Sequence, residues 1–517
     1  MDIYQIPLQG HRSQQELTFT QKLRKAVFKD RMTGKTGLVL FALLAVVIGL
    51  FMGATGIIGG AIIVLLIIAV PTVYSMVAYP KAGVIALMTM AYFIMLVIKF
   101  NIPFPLGTLM DALEVLLIFG FFAQQKRKRD YTIFKNSVSL VVAIWISFNV
   151  FEVINPVADS MMAWVYTVRT VAFVTLMYFV FLASIDSVRF IRTIVVVWLC
   201  FSVIAALYGM KQEHSGYSQF EWVSLAGDPQ RAALLLIDGH WRKFSIFEGP
   251  VTFAYQMVLA CLLSICLIWG TSKLWRRLVL VVLIVMCFLS MIYSGTRGAF
   301  ALVPAGLILF CILNFNKKTF IFGAVFAGIF ITLMFIPTTD QNLRRFQTAF
   351  KPSKDPSYLL RQANQQRIKP FIRSHPIGGG LGSVGVWGQK FSPNSMLAHF
   401  PPDSGYVRVA VETGWVGILL LCTLMFVILY TGIQNFFVIK NPELKTYSLA
   451  MTVMIFALEV GNYPQEALVQ YPSNIYFYLM IAILVKCGQL DKKMQQEEKA
   501  IALSLQATPP NLILSNA

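Results

Sequence analysis

The run from His399 to Glu412, HFPPDSGYVRVAVE, sets a histidine, an aspartate, a serine, an arginine and a glutamate at the start of a hydrophobic segment. His399 and Asp403 flank the entrance to that segment, where a general base could meet a hydroxyl of a membrane-borne substrate. With Ser404 they lie too close in sequence to indicate a nucleophilic triad, and the chain has no G-x-S-x-G elbow. Arg408 and Glu412 are four apart, so they share a helix face one to two turns inside. Charges at that depth are costly unless they pair or line a cavity.

Basic residues cluster in three further stretches. GHWRKFSIFEGP, residues 239–250, carries Arg242 and Lys243 just ahead of an apolar run. They read either as interface anchors or as ligands for an anion. YSGTRGAF, residues 293–300, sets Arg297 in a glycine-bearing turn between apolar helices. There the arginine snorkels to the interface, or the turn's amides face a phosphate. In YLLRQANQQRIKPFIRS, Leu360, Asn364, Ile368 and Ile372 fall on one side of a helix and Arg361, Arg367 and Arg373 around the other. The pattern predicts an amphipathic helix lying on the membrane. The next residues, His375 to Gly385, contain a G-x-G-x-x-G match at 380–385. No strand precedes it and no βα pattern surrounds it, so its glycines shape a tight loop rather than a dinucleotide site.

What must position these residues is an all-α, polytopic membrane fold. Of 517 residues, 57% are hydrophobic and 13% charged, and the mean hydropathy is +0.69. Apolar runs of helical length predict about fourteen transmembrane helices. They fall near 37–54, 57–79, 82–99, 104–123, 133–152, 160–183, 188–209, 251–270, 276–294, 298–315, 318–336, 404–432, 445–463 and 470–487. Residues 1–36 are basic and read as an interfacial helix carrying Phe19, Leu23 and Val27, or as a tail that fixes topology. No cleavable leader is expected, since the first apolar run starts near Gly37.

With the N-terminus in the cytoplasm, Lys126 to Arg129, Arg189, Arg192, Lys273, Arg276, Arg277, Lys317, Lys318, Lys440 and Lys445 all lie inside, obeying the positive-inside rule. The chain then divides into a cytoplasmic N-terminal segment (1–36), N-terminal membrane helices (37–209), a first periplasmic loop (210–250), more helices (251–336), a second periplasmic loop (337–403), C-terminal helices (404–487) and a cytoplasmic tail (488–517). The second loop holds nine Lys/Arg against three Asp and no Glu, and an anionic substrate accounts for such an external basic basin. The net charge of +19 is thus assigned to lipid and substrate, not nucleic acid. Seven cysteines sit in or at the ends of apolar segments without a C-x-x-C, so neither disulfides nor a metal site are expected. Glu114 and Arg169, at similar depth, with Asp111 nearby, suggest a structural ion pair.

Four stretches together resemble the O-antigen ligase and polymerase superfamily of bacterial membrane glycosyltransferases. They are R-x-x-S-x-F-x-x-P at Arg242 to Pro250, S-x-[ST]-R-G at Ser294 to Gly298, a histidine-proline-glycine loop at His375 to Gly385, and the pattern Asp403, Ser404, Tyr406, Glu412, Gly414, Gly417. The ordered set spans roughly residues 240–420. One departure matters: the family usually has His-Asn where Asp403-Ser404 stand.

The resemblance implies transfer of a glycan from undecaprenyl diphosphate to an acceptor hydroxyl, at the periplasmic face of the inner membrane, without metal or other cofactor. The acceptor is a glycan, lipid A-core or protein. Neutralising the pyrophosphate then falls to Arg242 and Arg297, with Lys243, Arg367 or Arg373 in support. Asp403 is the first candidate base and His399 the second, or Asp403 orients His399; Tyr406, Arg408 and Glu412 support the site. A lipid-linked glycan flippase or transporter and a protein O-oligosaccharyltransferase are the competing readings.

Overall fold

The computed structural model describes residues 78–100, 106–129, 131–237, 239–348, 350 and 356–507, with Met76 and scattered positions of 39–54. The proposed N-terminal helix of 1–36 and most of the first two expected spans lie outside them. Residues from 75 onward form one compact unit, which carries the features below.

The described chain is almost wholly helical; its one sheet is the two-residue hairpin β1 (Leu236–Ile237) and β2 (His240–Trp241). Eleven helices among the described residues are long and apolar enough to cross a membrane. They are α1 (Pro80–Ile98), α2 (Gly107–Arg127), α3 (Ser137–Ile154), α4 (Met161–Ser184), α5 (Val188–Ser215), and, after two short helices α6 (Gln219–Ala226) and α7 (Pro229–Leu235), α8 (Pro250–Gly270) and α9 (Leu274–Tyr293). α10 (Arg297–Leu313) is shorter, and α11 (Lys317–Phe335) is again of spanning length. The second long loop holds α12 (Gln341–Thr348), α13 (Pro356–Ser374) and α14 (Gly385–Phe391). The last three spans are α15 (Gly405–Val438), α16 (Pro442–Gly461) and α17, which crosses over Ser473–Leu503 and ends at Ala507.

Each of the eleven falls on a span expected from hydropathy, while the expected span at 298–315 is the shorter α10. α17 continues as a helix well past the expected end at 487. Local chemistry sets the starts. Proline occupies the first turn of α1, α8 and α16, where its missing N–H leaves no bond unmade. Asn136, Ser187, Asn316 and Asn441 accept from first-turn amides of α3, α5, α11 and α16.

Helix α8 is buried on all sides from Thr252 to Cys266 and packs on α9, α10 and α16; α16 in turn packs on α17. A helix apolar around its whole circumference belongs in such a centre. α11 is apolar too, yet only Thr319 on it is buried, as suits a helix facing hydrocarbon.

One expected contact is corrected. Arg169 pairs with Asp111 at 2.8 Å, not with Glu114, which instead accepts a 3.4 Å hydrogen bond from Tyr471. A π-helical segment, Arg169–Phe173, interrupts α4 at this arginine.

Candidate active site

The first long loop folds over its own small core of Tyr217, Leu225, Leu235 and Phe244, with Trp241 against it. That core fixes the irregular segment after β2. Gln212 at the end of α5 accepts from the amides of Phe244 and Ser245, at 3.2 and 2.7 Å. Ser245 takes a positive φ of 51°; its hydroxyl donates to Ala205 O at 2.6 Å, and its carbonyl accepts from the buried Lys99 at 2.8 Å. The serine of the first motif is therefore a structural pin, which holds Arg242 in place.

Arg242 donates through Nε to Ser294 O at 3.1 Å and through Nη2 to Thr296 Oγ1 at 3.0 Å; Thr296 Oγ1 donates to Pro250 O at 3.1 Å. The first two motifs are thus one interlocked unit. Gly295, at φ 59°, makes room: a Cβ there would meet Arg345 Nη1 at 2.8 Å. Arg345, from α12, also donates to Ile237 O at 2.9 Å. Burial, followed by the charges of Arg345 and Arg297, pushes the Arg242 guanidinium down to about 10, so it stays charged at neutral pH. A site that crowds cations in this way favours a polyanion.

The crowding surrounds a cavity of about 720 Å³, lined by Arg231, Arg242, Arg297, Arg345 and Arg361 and by the carboxylates Glu248 and Asp403. Gln465 and Gln470, from the loop between α16 and α17, complete its wall.

The second long loop is seated on α15 through a break in that helix. Gly414 has φ 67° and ψ −167°, so the backbone leaves the helical path there. The freed carbonyls of Val411 and Glu412 accept from Gly379 N at 2.9 Å and Gly380 N at 2.8 Å, while Val416 N donates to Pro376 O at 3.1 Å. Gly378, Gly380, Gly382 and Gly385 all have positive φ, so the G-x-G-x-x-G glycines shape this loop, as expected. Ile368, Val384, Leu397, Phe400 and Val411 form a small core beneath it.

A Cβ on Gly414 would lie 2.1 Å from Pro376 O. Gly414→Ala is therefore expected to cost about 2 kcal/mol or more, read as a lower thermal unfolding midpoint of the purified protein; an unchanged midpoint would contradict this seating.

Below the loop, Arg408 holds Glu412 at 3.3 Å and Glu466 at 2.7 Å. Burial raises the Glu466 carboxyl, Arg408 draws it back, and the charge of Asp403 raises it further. Asp403 itself stands at the mouth of α15, with Asn364 Nδ2 3.5 Å from its Oδ2. Ser404 is buried and donates to Asn462 O at 3.4 Å.

Of the residues singled out from sequence, Arg242, Arg297 and Asp403 come together at the cavity. His399 is not in its lining; it is exposed, and its Nε2 lies 2.8 Å from Pro393 O. Lys243 is buried and paired with Glu213 at 3.4 Å. Arg367 and Arg373 are exposed on α13, whereas Arg361, earlier on that helix, reaches the cavity. Tyr406 ties α15 to α16 by donating to Glu459 O at 3.0 Å. Sequence reasoning missed Arg231, Arg345, Gln465 and Gln470. For the two glutamines the available signal was the polar run NYPQEALVQ, residues 462–470, between two apolar helices.

Residues 282–422 match the family model of the O-antigen ligase. That stretch supports the resemblance to the O-antigen ligase and polymerase superfamily that the motifs implied. Among curated proteins no sequence matches the chain. The O-antigen ligase domain contains Arg297, Arg345, Arg361 and Asp403. Arg242 lies ahead of it in sequence and is joined to it by the hydrogen bonds to Ser294 and Thr296. The protein is accordingly a multi-pass membrane protein and a glycosyltransferase-like enzyme.

Proposed function

We propose that the chain transfers a glycan from an undecaprenyl-diphosphate-linked donor to an acceptor hydroxyl, at the periplasmic face of the bacterial inner membrane. The observation that carries this reading is the cavity in which five arginines, from the two long loops and the 293–298 turn, meet Asp403. In the proposed reaction the acceptor oxygen attacks the anomeric carbon of the donor sugar, and the bond from that carbon to the phosphate oxygen breaks. Asp403 takes the hydroxyl proton, while the electron pair leaves on the lipid diphosphate. Arg242 and Arg297, with Arg345, Arg231 and Arg361, neutralise that leaving group by charge-assisted hydrogen bonds. Guanidinium groups supply the cationic charge, so the step is written without a metal.

The periplasmic assignment is supported by the cavity's walls, which come from the two long loops, the 293–298 turn and the 462–472 loop. All of these share one side in the orientation set by the short-loop lysines and arginines. A transporter would instead place its functional charges near the bilayer midplane.

Deleting the gene and analysing lipid-linked glycan tests the reading and its variants. Single repeats accumulating on the carrier are expected of a polymerase, long polymer retained on the carrier of a ligase, and unglycosylated protein of an oligosaccharyltransferase. Lipid-linked material trapped at the cytoplasmic face would refute all three in favour of a flippase.

A further inference from the structure

A second cavity, of about 730 Å³, opens far from the arginine cavity, between the C-terminal ends of α2 and α4 and the middle of α17. Helix α17 measures the separation. It starts at Ser473, beside Gln470 of the arginine cavity. At about 1.5 Å per residue, Lys486 lies roughly 20 Å and Lys493 roughly 30 Å further along it, so the two cavities stand about a bilayer's hydrocarbon thickness apart.

The lining of the second cavity is basic on one side and apolar on the other. Lys486, Lys492 and Lys493 contribute ammonium groups, and no carboxylate is among the described residues that line it. Glu497 lies nearby, 3.9 Å from Lys493 in an exposed pair. Leu117, Phe121, Ile133 and Val180 make the apolar wall.

Gln125 gives an independent indication of what the cavity takes. The residue is 7% exposed and lines the cavity, and its Nε2 is buried with no hydrogen-bond partner. An amide donor left unsatisfied in a buried site carries a desolvation cost that an acceptor oxygen would remove.

We infer that this cavity binds the phosphate of an anionic phospholipid, with the lysines and the Gln125 amide on the headgroup and the apolar wall against its glycerol and upper acyl carbons. Basic pockets between transmembrane helices at the inner leaflet take such headgroups. The apolar wall favours a lipid over a free anion, because a solvated phosphate gains nothing from Leu117 or Phe121. The volume is of the size that encloses a headgroup.

Native mass spectrometry of the full-length protein, released from micelles doped with phosphatidylglycerol, cardiolipin or phosphatidylethanolamine, tests the inference. Wild type is expected to retain the two anionic lipids over phosphatidylethanolamine. The exposed pair Lys492→Ala/Lys493→Ala should weaken that retention about thirtyfold, and Gln125→Leu should weaken it while leaving thermal unfolding near wild type. The charge reversal Lys492→Glu/Lys493→Glu, both at solvent-facing positions, gives a second reading if the alanine pair folds poorly. Equal retention of anionic lipid by wild type and every folded variant would overturn the site. In a parallel arm with inorganic phosphate, tight binding that Gln125→Leu abolishes, without lipid retention, would overturn the assignment to lipid.

Discussion

Replacing Arg297 by alanine is expected to lower glycan transfer from a lipid-diphosphate donor by about 10²–10³-fold, the scale of losing one preorganised donor to a developing oxyanion. Arg297 lines the cavity beside Thr296, whose hydroxyl is fixed by Pro250 and Arg242. Arg242→Ala should show a loss of the same order together with reduced stability, because that side chain also holds Ser294 O. Lysine at position 297 should recover part of the rate, since it keeps the charge but loses the fork that meets two phosphate oxygens at once. The measurement is turnover of purified, folded protein on a polyprenyl-diphosphate glycan, with thermal unfolding as the control for Arg242. Both alanine variants remaining within about threefold of wild type would remove the arginines from the chemistry.

The second large effect separates the two candidate bases. Asp403→Asn is expected to reduce transfer by about 10²–10⁴-fold, the usual range for a general base, with substrate binding largely kept because asparagine has nearly the same shape. His399→Ala should stay within about threefold. The difference is geometric. Asp403 lines the arginine cavity, whereas His399 is exposed and engages the Pro393 carbonyl. If His399→Ala were the damaging change and Asp403→Asn the mild one, the base would be the histidine, and Asp403 would at most orient it.

Much of this architecture was legible in the chain because transmembrane helices satisfy their own backbone hydrogen bonds, so length and apolarity suffice to find them. The amphipathic helix over Leu360 to Ile372 was readable only in part: Ile368 is buried and Arg367 and Arg373 face outward, but Leu360, expected on the apolar side, is exposed. The glycine loop was recognisable as geometry because nothing around it could build a parallel sheet. Its reason for having glycine at 378 and 380 was not recognisable. That depends on segments far away in the chain: a Cβ at 378 would sit 2.5 Å from the backbone of Glu412 on α15, and one at 380 would sit 2.5 Å from Ala158 Cβ.

The site was legible as residue types but not as an assembly. Nothing local distinguishes Lys243 from Arg242, yet one side chain is buried against Glu213 and the other lines the cavity. Which of Arg361, Arg367 and Arg373 reaches the cavity depends on how α13 lies over α15. The same holds for Arg169, whose partner is Asp111 and not Glu114.

The sequence by itself determined the all-α membrane class, the sites of the described long spans, the resemblance of the 240–420 region, and the candidacy of Arg242, Arg297 and Asp403. The class and the spans follow from composition and periodicity, and the candidacy of the three residues from the motifs that carry the resemblance. Only the tertiary structure decided that Arg345, Arg361 and Arg231 join them, that His399 stays apart, and that the break at Gly414 seats the glycine loop. Each of those outcomes is a contact between segments far apart in the chain, fixed by close packing and by hydrogen bonds to freed backbone groups, and neither leaves a local mark in the residues involved.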